Sequence, residues 1–247
     1  VNKLAPPGAG HFLMKKLLSS ENPNFIGFVG ISNQAKFFYK KWNLEINFLN
    51  HYYIINRSFK NYNILKAKVC QVNKSIVLNS DLILIKINNL SELKLVHKYK
   101  PEKTINYLIN RYQKHPIYKY FFYGLKDDSN KVHCIFVIRK QIYMDSSCLR
   151  IIDIYGDINN ISSIKKQFEN LLLLENSEYI DVLNYGISSE IFYQLGFLKL
   201  DFASQNTIVP NFFHPFVQKN IKIEFSYKSK YDNFVIFRGD GDQDRPT

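Results

Sequence analysis

The chain has 247 residues, of which 46% are hydrophobic, so it can form a large packed core and is not an intrinsically disordered protein. Its net charge of +12 suits polyanions such as nucleic acid, anionic lipid or nucleotide-linked sugars. The lysines are spread along the sequence without a recognition motif, so we expect no specific nucleic-acid partner. Three cysteines lack C-x-x-C spacing, and no signal peptide or membrane-length apolar run is recognised. These features predict a cytoplasmic protein without a membrane span or a metal.

A glycine-rich turn begins the first element. Gly8-Ala9-Gly10 is followed by an apolar-periodic run, which predicts a helix over residues 10–19. The first N–H groups of a helix have no intrahelical partner, and the positive end of the helix dipole lies beside them. A Gly-x-Gly turn at this place therefore indicates a binding site for an anion.

A strand, a second helix and another strand are predicted next, over residues 25–31, 32–42 and 44–55. The helix carries Tyr39. Residues 57–100 mix Asn, Ser and Lys with short apolar runs, which is typical of a linker with peripheral elements. From residue 101 the hydrophobic pattern is regular again. It predicts a helix over 104–114, strands over 119–123, 132–138 and 149–154, a helix over 161–172, a strand over 179–183, a helix over 188–195, and a strand from 197.

The N-terminal segment resembles the C-terminal half of the GNAT acyltransferase fold. The resemblance rests on Gly8-Ala9-Gly10 and on Ala35, Phe38 and Tyr39, and it covers residues 4 to about 56. It implies that Gly8, Ala9 and Gly10 bind the pyrophosphate of acetyl-CoA or another acyl-CoA, and that Tyr39 protonates the departing thiolate. A GNAT domain has several elements before this loop, so we expect the first unit to be incomplete and the chain to be a fragment of a longer protein.

The second half repeats the closing order of the first. The segment from Ile187 to Phe197 is similar to the one from Gln34 to Leu44. Counting back from the Gly-Phe ending places Phe192 at the position of the tyrosine, and a shift of one residue would place Tyr193 there. We therefore predict an α/β fold of tandem GNAT-like units, with mixed twisted sheets and helices on both faces. The predicted divisions are residues 1–56, 57–100 and 101–247, the last being a GNAT-like domain without a phosphate loop.

The C-terminal run Asp240-Gly241-Asp242-Gln243-Asp244 has alternating aspartates but lacks the glycine and glutamate that an EF-hand needs. It is similar to the ending of GNAT-like proteins from bacterial surface-polysaccharide loci. That resemblance implies that Asp240, Asp242 and Asp244 bind the amine or hydroxyl groups of a sugar, and the alternative is a solvated tail. His214, in an aromatic loop, is a candidate general base because the imidazole pKa lies near neutrality, and the alternative is a structural role.

The predicted function is transfer of an acetyl or other acyl group from acyl-CoA to an amine or hydroxyl of a small-molecule or nucleotide-sugar acceptor. Two alternatives stay open. The first is a peptidoglycan-bridge-type aminoacyltransferase that uses charged tRNA, which would fit the basic charge. The second is a non-catalytic GNAT-like binding module. The sequence identifies neither the acceptor nor the oligomeric state.

Overall fold

The computed structural model describes residues 6, 8–20, 22–67, 82–159, 161 and 164–241. Up to residue 113 its elements are α1 (Ala9–Ser20), β1 (Phe25–Val29), α2 (Asn33–Lys41), β2 (Glu45–Phe48), β3 (Asn50–Ile55), β4 (Lys66–Ala67), β5 (Ile83–Ile87), α3 (Ile105–Leu108) and a π-helical turn (Ile109–Gln113). The later elements are β6 (Phe121–Lys126), β7 (Val132–Tyr143), β8 (Ser146–Gly156), α4 (Lys165–Leu174), β9 (Tyr179–Tyr185), α5 (Ser189–Gln194), β10 (Leu198–Lys199), β11 (Thr207–Ile208), β12 (Phe212–Phe213), β13 (Phe216–Val217), β14 (Glu224–Ser229), β15 (Ile236–Phe237) and a 3₁₀ turn (Arg238–Asp240).

The largest sheet of the described residues has the strand order β10-β3-β9-β8-β7-β6-β5, and β15 also pairs with β9. Within it, β8 and β9 run parallel and the other pairs are antiparallel. The sheet is therefore mixed. The predicted α/β fold with mixed sheets is confirmed.

Helical segments cover both faces of this sheet. Side chains alternate along a strand, so neighbouring residues of one strand contact the helical segments on opposite faces. On β7, Phe136 points to one face and meets Phe168 of α4 edge-on, with ring centroids 5.2 Å apart. Ile135 and Val137 point to the other face and pack with Tyr112 of the π-helical turn. The two faces thus have separate hydrophobic clusters, which fix the central strands from both sides.

The two predicted units exchange a strand. In the smaller sheet, β14 from the C-terminal part of the chain lies between β1 and β2. In the larger sheet, β3 from the N-terminal part lies between β9 and β10. Each strand is inserted at the same place, between the strand before and the strand after a short helix. The predicted boundary at residue 56 stays a prediction, and strands from either side of it lie in each other's sheets.

The prediction of one strand over residues 44–55 was wrong. Its two halves, β2 and β3, belong to different sheets, and they part at Leu49. The Leu49 side chain is fully buried, and its N–H donates to the carbonyl of Ile223 at 2.9 Å. The chain passes at this residue from the smaller sheet into the larger one.

The repeat extends to the backbone of the turns. Gly30 after β1 and Gly186 after β9 have φ values of +81° and +98°, and Asn43 and Gly196 after the two helices have φ values of +56° and +96°. A serine side chain accepts a hydrogen bond from the first turn of each helix, and these caps are Ser32 and Ser188. In both units a residue with left-handed backbone thus precedes the helix by a few positions, and another follows the end of the helix.

Candidate functional site

The start of α1 has the predicted form of a glycine turn that opens a helix. Gly8 has a φ of +86°, and Phe12 donates its N–H to the Gly8 carbonyl at 3.0 Å. The N–H of Ala9 donates to the Pro6 carbonyl at 3.1 Å, so that amide is used within the turn. A β-carbon built on Gly8 or Gly10 meets no described atom within 4 Å. The backbone at both glycines is therefore open to a ligand.

Tyr39 lies on α2, whose start is fixed by Ser32. The Ser32 hydroxyl accepts the N–H of Ala35 at 3.2 Å. The Tyr39 ring stacks on Phe28 of β1, with centroids 5.0 Å apart, and meets the edge of Trp42 at 5.8 Å. No described residue forms a hydrogen bond with its hydroxyl. The ring thus has a structural role in packing, while the hydroxyl has no structural partner in the described part of the chain.

The protonation state of Tyr39 follows from its surroundings. Partial burial raises the pKa of its phenol above the ordinary value. A phenol with a raised pKa keeps its proton throughout the neutral range. At neutral pH the hydroxyl is therefore a proton donor, as an acid for a leaving thiolate must be.

One hydrogen bond joins the glycine turn to the tyrosine helix. Trp42 donates its indole N–H to Nδ1 of His11 at 3.1 Å, and the two rings lie 5.4 Å apart. His11 follows Gly10 directly, and Trp42 lies one turn beyond Tyr39. The structure therefore brings the predicted anion-binding turn and the predicted acid onto one aromatic cluster. Sequence reasoning missed His11 and Trp42, because neither belongs to a motif; the position of the single tryptophan, just after the tyrosine helix, was the available signal.

The second unit has a different residue at the equivalent position. Each helix is followed by a residue with left-handed backbone, Asn43 in the first unit and Gly196 in the second. The residues four positions before them are Tyr39 and Phe192. Phe192 is fully buried and stacks on Tyr52 of β3 at 4.2 Å. Neither a hydroxyl nor an open surface is therefore present at this place in the second unit.

The chain itself fills the gap between the parallel strands of the second unit. β8 and β9 pair over only three residues each, and further along β9 the partner is β15. The following 3₁₀ turn places Gly239 against Ile152 of β8, where an added β-carbon would lie 2.7 Å from the isoleucine Cγ2. The space between these diverging strands is closed.

The remaining predicted residues lie on other elements than Tyr39. His214 is exposed at the turn between β12 and β13, and its neighbour Phe213 is buried in the core cluster that contains Tyr179. Asp240 accepts the N–H of Phe237 at 2.8 Å and pairs with Lys103 at 2.8 Å, so the protein engages both carboxylate oxygens. Asp242 and Asp244 lie outside the described residues. The roles predicted for these residues stay predictions.

Two buried carboxylates of the large sheet, Asp153 of β8 and Asp181 of β9, are paired with cations. Asp153 accepts two hydrogen bonds from Lys103, at 2.7 and 2.8 Å, and one from Tyr112 at 2.9 Å. Asp181 accepts from Arg150 at 2.9 and 2.7 Å and contacts His51 at 2.8 Å. Burial opposes ionisation of Asp181, but the Arg150 guanidinium and His51 outweigh it and lower the carboxyl pKa to about 2. None of the described helices has the length and apolar character that a bilayer crossing requires, and no group of three or more His, Cys, Asp or Glu in the described ranges is arranged to hold a metal ion.

No protein-family model matches this chain, and no curated protein sequence matches it. Among solved structures, it is similar to a GCN5-related N-acetyltransferase from Anabaena variabilis (TM-score 0.47, 12% identity, 88% of this chain and 48% of that chain). Others are a functionally unknown conserved protein from Staphylococcus epidermidis (0.45, 9%, 90% and 79%) and a conserved protein of unknown function from Enterococcus faecalis (0.46, 8%, 92% and 51%). The chain thus spans about half the length of the first and third proteins. At these scores and identities the likenesses support no conclusion about activity.

Proposed function

We propose that this chain is part of a GNAT-like acyltransferase, which moves an acyl group from acyl-CoA to an amine or hydroxyl of a small or sugar-linked acceptor. The open backbone at Gly8 and Gly10 would hold the pyrophosphate, and Tyr39 would act as the acid. We propose no acyl-CoA site in the second unit. Phe192 takes the place of the tyrosine there, and β15 with the following turn fills the gap between β8 and β9.

The observation that carries the proposal is the hydrogen bond between Trp42 and His11. Two sequence signals that lie about 30 residues apart, an anion-binding turn and a tyrosine helix, are held against each other by this contact. An acyl-CoA has its phosphates at one end and its thioester at the other. Transfer requires that both ends be held at once, since positioning of the reacting groups supplies much of the rate enhancement.

The residues of the chain have separate tasks in this reaction. Acyl-CoA, when bound, supplies the activated acyl group as a thioester. The acceptor nitrogen or oxygen forms a bond to the acyl carbon, the carbon–sulfur bond breaks, and the electron pair leaves with sulfur. Tyr39 donates its hydroxyl proton to that sulfur, while the acceptor loses its own proton to water. Tyr39 then recovers a proton from water. The N–H of Gly10, which has no partner among the described residues, would stabilise the phosphate charge together with the α1 dipole.

Replacement of Tyr39 by Phe tests the proposal. The ring contacts with Phe28 and Trp42 are kept, and the hydroxyl has no hydrogen bond among the described residues, so stability should change by less than about 1 kcal/mol. Turnover should fall by about 10²-fold or more, while CoA affinity stays within a factor of about three, because the proton is transferred only in the transition state. Thiol release from acetyl-CoA is measured with a panel of amino and hydroxyl acceptors.

The matched control is Tyr193→Phe. Tyr193 is half exposed on α5, next to the residue that is equivalent to Tyr39. This variant should have the wild-type rate. A Tyr39→Phe rate within about threefold of wild type would remove Tyr39 from the mechanism. Thiol release that requires charged tRNA, or CoA binding without any release, would instead support one of the two alternative functions.

A further inference from the structure

A cavity of about 450 Å³ lies beside the π-helical turn and the 3₁₀ turn. Its wall is unusually aromatic, with four tyrosines: Tyr107, Tyr112, Tyr118 and Tyr120. The floor contains Gly239, where an added β-carbon would lie 2.3 Å from the Tyr112 hydroxyl oxygen. The Tyr118 ring already lies under the Arg139 guanidinium at 3.6 Å and stacks with His115 at 4.9 Å, and Tyr112 is buried. Tyr107 and Tyr120 are therefore the rings that remain to pack against a ligand ring. The cavity volume lies in the range that small-molecule sites occupy, roughly 300–1,000 Å³.

A second cavity, of about 520 Å³, adjoins the first. The two cavities have four lining residues in common: Tyr112, His115, Tyr118 and Tyr120. The second one adds Lys86 and Lys119, whose ammonium groups lie 5.2 and 5.5 Å from the centroid of the Phe121 ring. The shared residues line both cavities, and we call the two cavities the lobes of the tyrosine groove.

The charges of the tyrosine groove are positive. Arg111 lines the first lobe, and its guanidinium is fixed by hydrogen bonds to the carbonyls of Gly239 at 2.7 Å and Gly241 at 2.9 Å. An arginine uses up to five N–H donors, so this anchoring leaves donors for a ligand. Neither lobe has a carboxylate among its described lining residues. The nearby carboxylates of Asp153 and Asp240 share the single ammonium of Lys103, so that neighbouring cluster keeps one negative charge. The three cations of the lining, Arg111, Lys86 and Lys119, outnumber it, and the groove as a whole favours anions.

The groove also adjoins the first unit. Gly241 lies in its wall, and an added β-carbon there would be 2.5 Å from the Cβ of Val29. Val29 ends β1, from which the chain continues into the turn before α2 and Tyr39. A ligand in the groove would thus lie near the end of β1, the strand on which Tyr39 packs through Phe28.

We propose that the tyrosine groove binds a nucleotide-type organic phosphate, with its ring against the tyrosines and its phosphates near Arg111 and the two lysines. A site with aromatic faces alone would suit a neutral ring, and a site with cations alone would suit inorganic phosphate. A site with both favours a ligand that has a ring and a phosphate. The assignment of the groove as the acceptor site rests on the proposed acyl transfer, and the acceptor would then be a nucleotide-linked molecule. The binding of a nucleotide in the groove does not depend on that reaction.

Calorimetric titration of the chain with UDP, in the absence of CoA, tests the inference. Uridine and inorganic pyrophosphate serve as ligands that each lack one part of UDP. UDP should bind, and each of the other two should bind at least about tenfold more weakly. No heat with UDP at millimolar concentration, or pyrophosphate binding as tightly as UDP, would overturn the proposal.

Two variants locate the binding. Asn110 is exposed and lines the first lobe, so Asn110→Asp adds a carboxylate without a change of shape and should weaken UDP by about fivefold or more. Asn130→Asp makes the same change of charge at the turn between β6 and β7 and should leave UDP affinity unchanged. Tyr107→Leu removes one flat face and should weaken UDP but not pyrophosphate. Equal affinities of the two Asn→Asp variants would place UDP elsewhere. Gly10→Asp should leave UDP binding intact, so failure of the donor site and failure of the groove are separate results.

Discussion

Gly10→Asp is the sharpest test of the proposed donor site, and we expect it to weaken acyl-CoA binding by about tenfold or more. An added β-carbon at Gly10 meets no described atom within 4 Å, so the new side chain fits without displacing the protein. Two unit charges about 4 Å apart repel by about 1 kcal/mol in water and about 4 kcal/mol near a protein surface. Tenfold in affinity corresponds to about 1.4 kcal/mol, which is the lower part of that range.

The same substitution does not harm the helix. An aspartate in the first turn of α1 lies beside the positive end of the helix dipole, which favours it by about 0.3–1 kcal/mol. Lost affinity therefore cannot be attributed to a lost helix, and circular dichroism should be unchanged. Gly10→Ala is the matched control, since it fills the same open space without a charge and should bind acyl-CoA within about twofold of wild type.

Isothermal titration with acetyl-CoA measures the effect, and acetylpantetheine, which lacks the pyrophosphate, is the control ligand. Gly10→Asp should leave the weaker acetylpantetheine affinity unchanged, and its effect on acetyl-CoA should shrink as salt screens the repulsion. The reasoning is refuted if Gly10→Asp binds acetyl-CoA as wild type does, or if Gly10→Ala weakens it equally. Either result would show that the glycine turn only begins a helix.

Three further predictions concern stability, each measured by urea unfolding. Gly186→Ala should lower the free energy of unfolding by about 2 kcal/mol or more, because Gly186 has a φ of +98° and a β-carbon there would lie 1.9 Å from the Phe234 carbonyl oxygen; a smaller loss would mean that the turn rearranges. Asp181→Asn should cost about 3–5 kcal/mol, because Arg150 would stay buried without its counter-ion, and a loss below 1 kcal/mol would contradict this. Burial, and then the charge of Lys103, lower the pKa of His97 to about 4, below its value in the unfolded chain. The stability that His97 contributes is therefore present above pH 6.5 and is lost as the pH falls toward 4. His97→Phe should reduce the difference in unfolding free energy between pH 7 and pH 5 by about 1 kcal/mol, a value discounted for the partial exposure of the ring.

The local elements of the fold were largely predictable from the sequence, because each depends on neighbouring residues. Apolar periodicity located α2 and β9 within about two residues of their bounds, and the Ser32 position coincides with a helix cap. The exchange of strands was not predictable in this way. The pairing of Phe25 with Ser229 joins residues that lie about 200 positions apart, and no local pattern specifies such a partner.

The candidate site divides along the same line. The glycine turn and Tyr39 were found from motifs, since an anion site and an acid helix need particular residues at particular spacings. The contact that joins them, between His11 and Trp42, depends on how α1 and α2 pack and has no spacing rule. The tyrosine groove was missed for a similar reason. Its wall combines the segment from Tyr107 to Tyr120 with Gly239, and the chain brings these together only through the closing turn after β15.

The strand exchange also ties the proposed donor site to the far end of the chain. Tyr39 packs on Phe28 of β1, and the described partner of β1 is β14. Lys36 of α2 pairs with Glu224 of β14 at 2.5 Å, so the same strand also fixes the tyrosine helix. β14 in turn leads through β15 to Gly241, which contacts Val29 at the end of β1. The first unit therefore reaches its folded form only together with residues 224–241, and the same segment closes the second unit and forms the wall of the tyrosine groove. One C-terminal segment thus links the proposed donor site to the proposed acceptor site.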